Sequence, residues 1–204
     1  MANKELELLV ATKNNGKVAE LKHLLLGVPV RLRSLREFVD AVDVKETGGN
    51  FKENAALKAQ GYASHTGLWS LADDSGLEVE ALKGAPGIFS ARYGGENATD
   101  QEKINKLLRE LNKEQNEERF ARFVCAMAIS DEKGEIKFVA EGFCNGRISL
   151  EPRGNNGFGY DPIFIPAGFN ETFGELSSEI KQQISHRAQA SRKIIEYLRD
   201  LYAL

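Results

Sequence analysis

Hydrophobic and polar positions in the first part of the chain follow two different periods. Residues 6–12 form an apolar run, and within residues 18–26 the apolar positions recur at helical spacing. Between them, residues 13–17 carry the turn-forming sequence Lys-Asn-Asn-Gly-Lys. A strand, a glycine-containing turn and a helix in this order are the usual opening of an α/β domain. A second strand is predicted over residues 28–35, and no clear pattern follows over 34–43.

The next segments predict a helix, a short buried strand and another helix. Residues 51–65 have helical spacing with an alanine-rich face suited to close packing, and residues 68–72 are a short apolar run. Thr99 and Glu102 form a capping box, which predicts a helix that continues to about residue 112. This part of the chain therefore continues the alternation of strands and helices.

Later segments predict antiparallel strands. Residues 119–130 and 135–145 are strand-like on either side of an Asp-Glu-Lys-Gly turn, and residues 147–150 extend the second of them. A short strand is predicted over 163–165 and one or two helical turns over 177–182. The middle of the sheet should therefore be antiparallel.

The remaining segments are connections and a final helix. Residues 112–119 are polar and charged, as in a linker or a surface loop, and residues 152–162 are glycine-rich and predicted to be irregular. Ser185 is a suitable N-cap for the last helix. The apolar stripe of that helix comprises Ile194, Ile195, Leu198, Leu201 and Tyr202.

This order of elements predicts an α/β protein. We expect a long, partly antiparallel sheet flanked by helices, in two lobes with a cleft between them. A chain of 204 residues fits one domain, residues 1–204, and is long enough to bury a substantial core.

Charge and composition exclude several classes of function. Lysine and arginine number 27 against 30 acidic residues, for a net charge of −3, which argues against a general binder of nucleic acid or of membrane surfaces. No apolar run is long enough to span a bilayer, and residues 1–5 lack the features of a signal peptide. We therefore expect a cytoplasmic protein. Cys125 and Cys144 are expected to be reduced, buried hydrophobes, and the three histidines lack zinc-site spacing.

The strongest candidate for chemistry is the pair Asp73 and Asp74, which is predicted to lie at the end of the strand over 68–72. Two adjacent carboxylates at the end of a buried strand repel each other unless a cation or a proton lies between them. A hard divalent metal such as Mg²⁺ satisfies this arrangement, because it prefers oxygen ligands. The alternative is a solvated turn, in which Asp, Ser and Gly are common.

The first turn of the chain is a candidate phosphate site. Backbone N–H groups at a strand-to-helix turn bind phosphate oxygens, and Lys17 adds a positive charge in the first helical turn, where the helix dipole disfavours it. An anion would explain that placement. The Walker A pattern is absent, so an ordinary turn is an equal alternative. The candidate residues are Thr12, Lys13, Asn14, Asn15, Gly16 and Lys17.

Two further groups lie near the Asp pair in the expected fold. Glu46 precedes the flexible pair Gly48 and Gly49 and could reach the aspartates, and Lys58 on the helix over 51–65 could face the cleft. The alternative for Lys58 is an ordinary solvated helix charge.

The third candidate is the glycine-rich segment 152–162. Phe158 or Tyr160 could stack on a base, and Asp161 could accept hydrogen bonds from ring N–H groups. Alternatively, these aromatic rings fill the core. His186 and Arg187 fall in the first turn of the last helix, where the dipole disfavours cations, so a ligand carbonyl or phosphate would explain them.

Together and in this order, these segments closely resemble the inosine triphosphate pyrophosphatase family over nearly the whole chain. The matching motifs are Ala11-Thr12-Lys13-Asn14-Asn15-Gly16-Lys17, Glu46-Thr47-Gly48, Phe51-Lys52-Glu53-Asn54-Ala55, Lys58-Ala59, Ala72-Asp73-Asp74-Ser75-Gly76-Leu77, Gly84-Ala85-Pro86-Gly87-Ile88-Phe89-Ser90-Ala91-Arg92-Tyr93, Gly157-Phe158-Gly159-Tyr160-Asp161-Pro162 and Ser185-His186-Arg187.

The resemblance implies an elongated mixed sheet flanked by helices, two lobes around a central cleft, and a homodimer. It implies Mg²⁺-dependent hydrolysis of non-standard purine nucleoside triphosphates (dITP, ITP and XTP) to the monophosphate and pyrophosphate. The residues carried over are Thr12 to Lys17 and Lys58 for the phosphates, Glu46 and Asp74 for the metal, Asp74 also for activating water, Ser75 for a substrate contact, and Phe158, Gly159, Tyr160, Asp161, Lys181, His186 and Arg187 for the purine.

The chemistry is consistent with that implication. Cleavage of a phosphoanhydride needs charge neutralisation and an in-line water more than covalent catalysis. Lys17 and Lys58 can neutralise the triphosphate together with Mg²⁺, and Asp74 can orient or deprotonate the water. Donors such as His186 or Arg187 would satisfy the 6-carbonyl of hypoxanthine or xanthine and leave adenine unsatisfied. Two alternatives stay open: a pyrophosphatase for modified pyrimidine nucleotides, and a nucleotide-binding regulator without turnover.

Overall fold

The computed structural model describes residues 6–38, 40–114 and 118–201. The expectations for residues 1–5, for Tyr202 and for the middle of segment 112–119 lie outside these ranges. In chain order the elements are β1 (Leu6–Val10), α1 (Asn15–Leu24), β2 (Val30–Ser34), α2 (Phe51–Thr66), β3 (Trp69–Val79), α3 (Asp100–Leu111), β4 (Phe120–Ser130), β5 (Ile136–Ile148), β6 (Phe164–Pro166), α4 (Ser178–Ile184) and α5 (His186–Leu201), with short 3₁₀ turns at Leu35–Glu37, Glu80–Leu82, Gly87–Arg92 and Asp161–Ile163.

The strands form one six-stranded sheet in the order β2-β1-β3-β4-β5-β6. Strand β1 pairs in parallel with both β2 and β3, whereas β5 and β6 are antiparallel. The predicted mixed α/β class is therefore confirmed. Parallel pairing of β1 with β2 requires a crossover, which α1 provides.

The strand that carries the Asp pair is longer than the sequence predicted. We expected it to end at residue 72, but β3 continues to Val79, so Asp73 and Asp74 lie inside the strand. The two carboxylates do not end the strand because lysine ammonium groups pair with both of them, which offsets the penalty of burying charge. The polar segment that indicated a turn is thus part of a central strand.

Residue contacts divide the chain into two compact units. The first comprises residues 1–74, 125–142 and 189–204, and the second comprises residues 75–124 and 143–188. Each unit has its own hydrophobic cluster. The first unit buries Leu8, Val10, Leu71, Met127, Ile194 and Leu198, among others. The second buries Leu77, Leu107, Phe123, Phe164 and Phe173, among others.

Three helices begin at side-chain caps. Those at Thr99 and Ser185 were predicted, whereas the sequence predicted only a turn at Asn14 and a helix from residue 18. Asn14 accepts a hydrogen bond from the backbone of Lys17, Thr99 forms the capping box with Glu102, and Ser185 accepts from the Ala188 amide. These bonds satisfy backbone donors that have no partner within the helix. The predicted stripe of α5 is only partly buried: Ile194 and Leu198 are fully buried, whereas Leu201 is 44% exposed because it lies at the last turn of the helix.

Both cysteines are buried thiols outside any disulfide bond, one in each unit, as expected for small hydrophobes. Burial, with a contribution from the charge of Asp161, raises the pKa of the Cys144 thiol to about 12. Such a thiol carries almost no thiolate near neutral pH. Within the described ranges, no helix has both the length and the apolar character needed to cross a membrane.

Candidate active site

The charged centre of the first unit is the ammonium group of Lys58. Its Nζ atom lies 2.6 Å from Oε1 of Glu46 and 2.9 Å from Oδ1 of Asp74. All three side chains are at least three-quarters buried. The hypothesis that Glu46 and Lys58 lie beside Asp74 is therefore supported by the geometry, and Lys58 is not a solvated helix charge.

Local structure explains this convergence. Helix α2 begins at Phe51 behind the N-cap Asn50, which places Lys58 two turns into the helix. Ala55 and Ala59 on the same helix are fully buried, so the helix packs closely against its surroundings. Asp74 is the last residue of the first unit on β3. A lysine side chain is long enough to connect the two elements.

Burial and charge act against each other at this cluster. Burial lowers the pKa of Lys58, but the carboxylates of Asp74, Asp73 and Glu46 together raise it above its usual value. Burial also raises the pKa of Asp74, and the attraction of Lys58 and Lys17 offsets only part of that effect. Asp74 is thus a carboxyl group with a raised proton affinity, which suits a general base.

Asp73 forms a buried ion pair that no sequence pattern predicted. Its Oδ2 atom lies 3.0 Å from Nζ of Lys17, and its side chain is fully buried. The anion that accompanies the lysine in the first turn of α1 is therefore a protein carboxylate, so a bound phosphate is not needed to explain that lysine. The spacing of Asp73 and Asp74 indicated a charged pair but could not show which lysine each one meets.

The predicted phosphate turn is built as a helix start. Thr12 accepts a hydrogen bond from the Asn14 amide through Oγ1 (3.2 Å), and Asn15 and Gly16 are the first two residues of α1. Lys13 is directed to Asp43, with 2.6 Å between Nζ and Oδ1, and that pair is exposed to solvent. Lys17 lies in the same first turn of α1, and its backbone amide donates to the side chain of the N-cap Asn14.

A divalent cation fits the residues of this cluster. Among the described residues, no group of three or more His, Cys, Asp and Glu side chains has metal-binding geometry. Mg²⁺, however, is often held by one or two carboxylates while waters and substrate phosphates complete its coordination. Oδ2 of Asp74 is buried and makes no hydrogen bond within the described chain, so it is available as such a ligand. Glu46, whose Oε1 atom contacts Lys58, would be the second carboxylate of such a site.

The second unit contains a separate buried ion pair. Nζ of Lys181 lies 2.5 Å from Oδ2 of Asp161, which also accepts a hydrogen bond from the Phe158 amide (2.8 Å). The same ammonium lies 4.7 Å from the centre of the Phe158 ring. These three predicted residues are therefore in contact, and the loop conformation is fixed by the Asp161 carboxylate.

Glycine is required at one position of this loop. Gly157 has a φ of 76°, and a Cβ atom there would lie 2.0 Å from Oδ2 of Asp161. The backbone approaches the carboxylate too closely for any side chain, and the left-handed conformation adds strain for other residues. In this loop, glycine at position 157 allows the backbone to pack directly against the Asp161 carboxylate. Gly159, also in the left-handed region, donates its amide to Asp100 (2.7 Å).

Two of the predicted base-binding side chains pack inside the second unit. Tyr160 is buried in its hydrophobic cluster and donates its hydroxyl to the Ser90 carbonyl (3.0 Å). The ring of His186 stacks on Phe123 with the ring centres 4.7 Å apart. The alternative in which an aromatic ring fills the core therefore applies to Tyr160. Phe158, by contrast with Tyr160, is only half-buried.

Arg187 connects the last helix to the strand that carries the Asp pair. Arg187 is the second residue of α5, and its side chain is only 1% exposed. Its Nη2 atom donates a hydrogen bond to Oγ of Ser75 (2.9 Å). Its guanidinium carbon lies 5.7 Å from the centre of the Phe158 ring. The guanidinium is thus fixed between a hydroxyl and an aromatic ring, an arrangement suited to directional hydrogen bonding.

Comparison with known proteins finds relatives over nearly the whole chain. The profile of the Ham1 family matches residues 8–197. A dITP/XTP pyrophosphatase of Rhodopirellula baltica is 43% identical over 196 residues, covering 96% of this chain and 94% of that protein. One of Bacillus licheniformis is 47% identical over 188 residues, covering 92% and 95%. The structure of a HAM1 protein from Coxiella burnetii is similar with a TM-score of 0.88 and 42% identity, covering 96% of this chain and 99% of that one.

The mixed α/β fold, the lysine–carboxylate centre and these relatives define the class of protein, a hydrolase of nucleoside triphosphates. The predicted enzyme class, a nucleoside triphosphate pyrophosphatase, is confirmed by the relatives. The chain belongs to the Ham1 family. The resemblance drawn from the motifs is therefore confirmed.

Proposed function

We propose that this protein hydrolyses the non-standard purine nucleoside triphosphates dITP, ITP and XTP to the monophosphate and pyrophosphate, with Mg²⁺ as cofactor, and so removes them from the nucleotide pool. The observation that carries the proposal is the centre in which Lys58 lies between Glu46 and Asp74, with Oδ2 of Asp74 making no hydrogen bond to any described residue. Such a centre suits a metal–triphosphate complex, because its cationic groups can contact the phosphates and its carboxylates can hold the metal.

The triphosphate is the part of the substrate that we assign to the first unit. Residues 12–17 supply the N-terminal amides of α1, and Lys17 and Lys58 supply positive charge. When bound, Mg²⁺ would neutralise charge on the phosphate oxygens as a Lewis acid and would be held by Glu46 and Asp74. Cleavage by an in-line water requires this positioning and neutralisation more than any covalent step.

Asp74 is the residue that we assign to activation of the water. Its pKa is raised mainly by burial, so its carboxylate accepts a proton more readily than an exposed one. Lys58 keeps the carboxylate in one orientation through its hydrogen bond to Oδ1 and leaves Oδ2 for other partners. Asp74 therefore orients the water or takes its proton as the water attacks the phosphorus atom.

The base is the part that we assign to the second unit. Phe158 offers a half-buried ring for stacking, and Arg187, Lys181 and Ser75 offer donors beside it. The roles of Gly159, Tyr160, Asp161 and His186 in this proposal are to shape that surface through the contacts already described. A 6-carbonyl would accept from these donors, whereas the 6-amine of adenine would face another donor.

Further parts of the proposal rest on the relatives. Their names, dITP/XTP pyrophosphatase, support the choice of deoxyinosine and xanthosine triphosphates. The family profile includes residues of both units, which supports a single domain over residues 1–204. We also propose a cytoplasmic homodimer that has neither nucleic acid nor membrane as a partner, in keeping with the net charge of −3.

The experiment that tests the function is steady-state hydrolysis of ITP, XTP, GTP, ATP and dTTP, with Mg²⁺ and with EDTA, with the products separated by ion exchange. We expect Mg²⁺-dependent release of pyrophosphate and monophosphate, with ITP and XTP as the best substrates. Release of orthophosphate would contradict the assigned bond cleavage. Preference for a pyrimidine would favour the first alternative, and tight binding without turnover would favour the regulator.

A further inference from the structure

The segment that carries Glu46 is attached to the first turns of α2 by side chains of that helix. The amide of Gly48 donates to Oδ1 of Asn54 (2.8 Å), and the amide of Gly49 donates to Oε2 of Glu53 (2.7 Å). The backbone two residues after Glu46 is therefore held by a helix side chain. No element of regular structure fixes the segment itself.

Asn54 is an unusual residue for its position in the helix. It is 1% exposed, and its Nδ2 atom is buried without a hydrogen bond among the described residues. Asparagine is a weaker helix former than leucine, and an unsatisfied buried amide opposes folding. Stability of α2 does not account for this side chain. Within the described ranges, the hydrogen bond of this side chain is the one that Oδ1 accepts from the Gly48 amide.

The approach of Gly48 to the helix is close. A Cβ atom on Gly48 would lie 2.6 Å from Cβ of Glu53 and 2.8 Å from Oδ1 of Asn54. Real side chains do not tolerate such distances, and Cβ of Glu53 cannot move without the helix backbone. The segment thus rests directly on α2, with the hydrogen bond to Asn54 at the point of contact.

Asn54 and Lys58 are four residues apart, so they lie on the same face of α2, one turn from each other. Lys58 binds the Glu46 carboxylate (2.6 Å) while Asn54 binds the backbone at Gly48. We propose that Asn54 is a positioning residue, which holds the 46–48 backbone on α2 so that the Glu46 carboxylate is presented for metal binding beside Asp74. This inference rests on the proposed function, in which Glu46 and Asp74 are the metal ligands.

The test is the substitution Asn54→Leu, which keeps the size of the side chain and removes the acceptor. We expect the dissociation constant for Mn²⁺, measured by electron paramagnetic resonance on the nucleotide-free protein, to rise about tenfold, the scale typical of a lost outer-shell partner. Amide hydrogen exchange at Gly48 should accelerate. The melting temperature should stay unchanged or rise, because leucine favours the helix and leaves no buried amide.

A second variant tests the same contact from the other side. Gly48→Ala introduces the Cβ atom that the helix cannot accommodate, so it should weaken Mn²⁺ binding to a similar degree while Asn54 is intact. The control is Thr99→Ala, which removes the cap of α3 in the second unit. It should lower the melting temperature and leave the Mn²⁺ dissociation constant as in the wild type.

The positioning role of Asn54 and the proposed function of the protein fail on different outcomes. If wild-type protein binds Mn²⁺ and both the Asn54→Leu and Gly48→Ala variants bind it with unchanged affinity, the positioning role is wrong and the proposed function is untouched. A drop in melting temperature of Asn54→Leu with unchanged Mn²⁺ affinity would show a purely structural residue. If the wild type neither binds Mn²⁺ nor hydrolyses nucleotides, the proposed function itself fails.

Discussion

The Nζ atom of Lys181 lies 2.5 Å from Oδ2 of Asp161, and both side chains are more than nine-tenths buried. Because the carboxylate also accepts from the Phe158 amide, it determines the conformation of the loop that carries the proposed stacking ring. A buried ion pair of this kind depends on both partners: removal of one leaves the other as an uncompensated buried charge.

We therefore expect Lys181→Met to destabilise the protein by about 3 kcal/mol, the lower part of the range for breaking a buried pair. Urea unfolding monitored by circular dichroism measures the change. Lys113→Met, on an exposed lysine of the same unit, is the matched control and should be neutral within error. Equal stability of the two variants would mean that the Lys181–Asp161 pair adds nothing to the folded state.

Asp74→Asn tests the assignment of the water-activating residue. The amide keeps the size of the side chain but neither accepts a proton nor carries charge, so we expect kcat for ITP to fall by roughly 10²- to 10⁴-fold. Lys58 keeps Glu46 as a partner, and burial raises the pKa of Asp74, so the neutral analogue should leave the melting temperature nearly unchanged. Near-normal turnover by a folded Asp74→Asn protein would remove Asp74 from the mechanism.

Arg187→Lys tests base recognition while a cation is retained. Lysine cannot reproduce the planar guanidinium that contacts Ser75 and lies over Phe158, so we expect the ratio of kcat/KM for ITP over ATP to fall about tenfold. Arg192→Lys, at an exposed position of α5, serves as control. An unaltered ITP-to-ATP ratio would place base recognition on other residues.

Asp131 provides a prediction about pH and stability. It caps the turn between β4 and β5 by accepting from the amides of Lys133 and Glu135 and from Nζ of Lys137. The hydrogen bond from Lys137 is the largest effect that holds the pKa of the Asp131 carboxyl below its usual value. Stabilisation by the carboxylate is therefore present above the unfolded pKa of about 3.9 and is lost as pH falls through the lower folded pKa.

Asp131→Asn should accordingly lower the free energy of unfolding at pH 7, and the difference from the wild type should shrink as the pH approaches 3. Chemical denaturation at a series of pH values measures it. Glu132→Gln, on an exposed residue of the same turn, should show no such pH-dependent difference. A difference that stays constant from pH 7 to pH 3 would contradict the role given to the charge.

Much of the local structure followed from the sequence because it depends on near neighbours. The predicted caps at Thr99 and Ser185 and the predicted helix over residues 51–65 depend on contacts within a few positions, and the structure confirms each of them. The exception is β3, where Asp73 and Asp74 indicated an end to the strand. The lysines that keep the strand intact, Lys17 and Lys58, are distant in sequence.

The candidate site, too, has a part that the sequence predicted and a part that it did not. The residue types of the site could be chosen from the sequence, since carboxylates, lysines and glycines in these motifs have few other chemical uses together. Which of these side chains contact each other could not be predicted from the sequence. The structure assigns Asp73 to Lys17, gives Lys58 two carboxylates, buries Tyr160 and His186 in the second core, and leaves Phe158 as the half-buried ring.

By itself, therefore, the sequence determined the class of fold, most of the elements and the family of this protein, because periodicity, caps and motifs are properties of short stretches of chain. Only the tertiary structure decided which buried charge meets which partner and which aromatic ring stays accessible. Those outcomes depend on desolvation and on distances of a few ångströms between residues far apart in the chain, as between Arg187 and Ser75. No local pattern encodes such a distance.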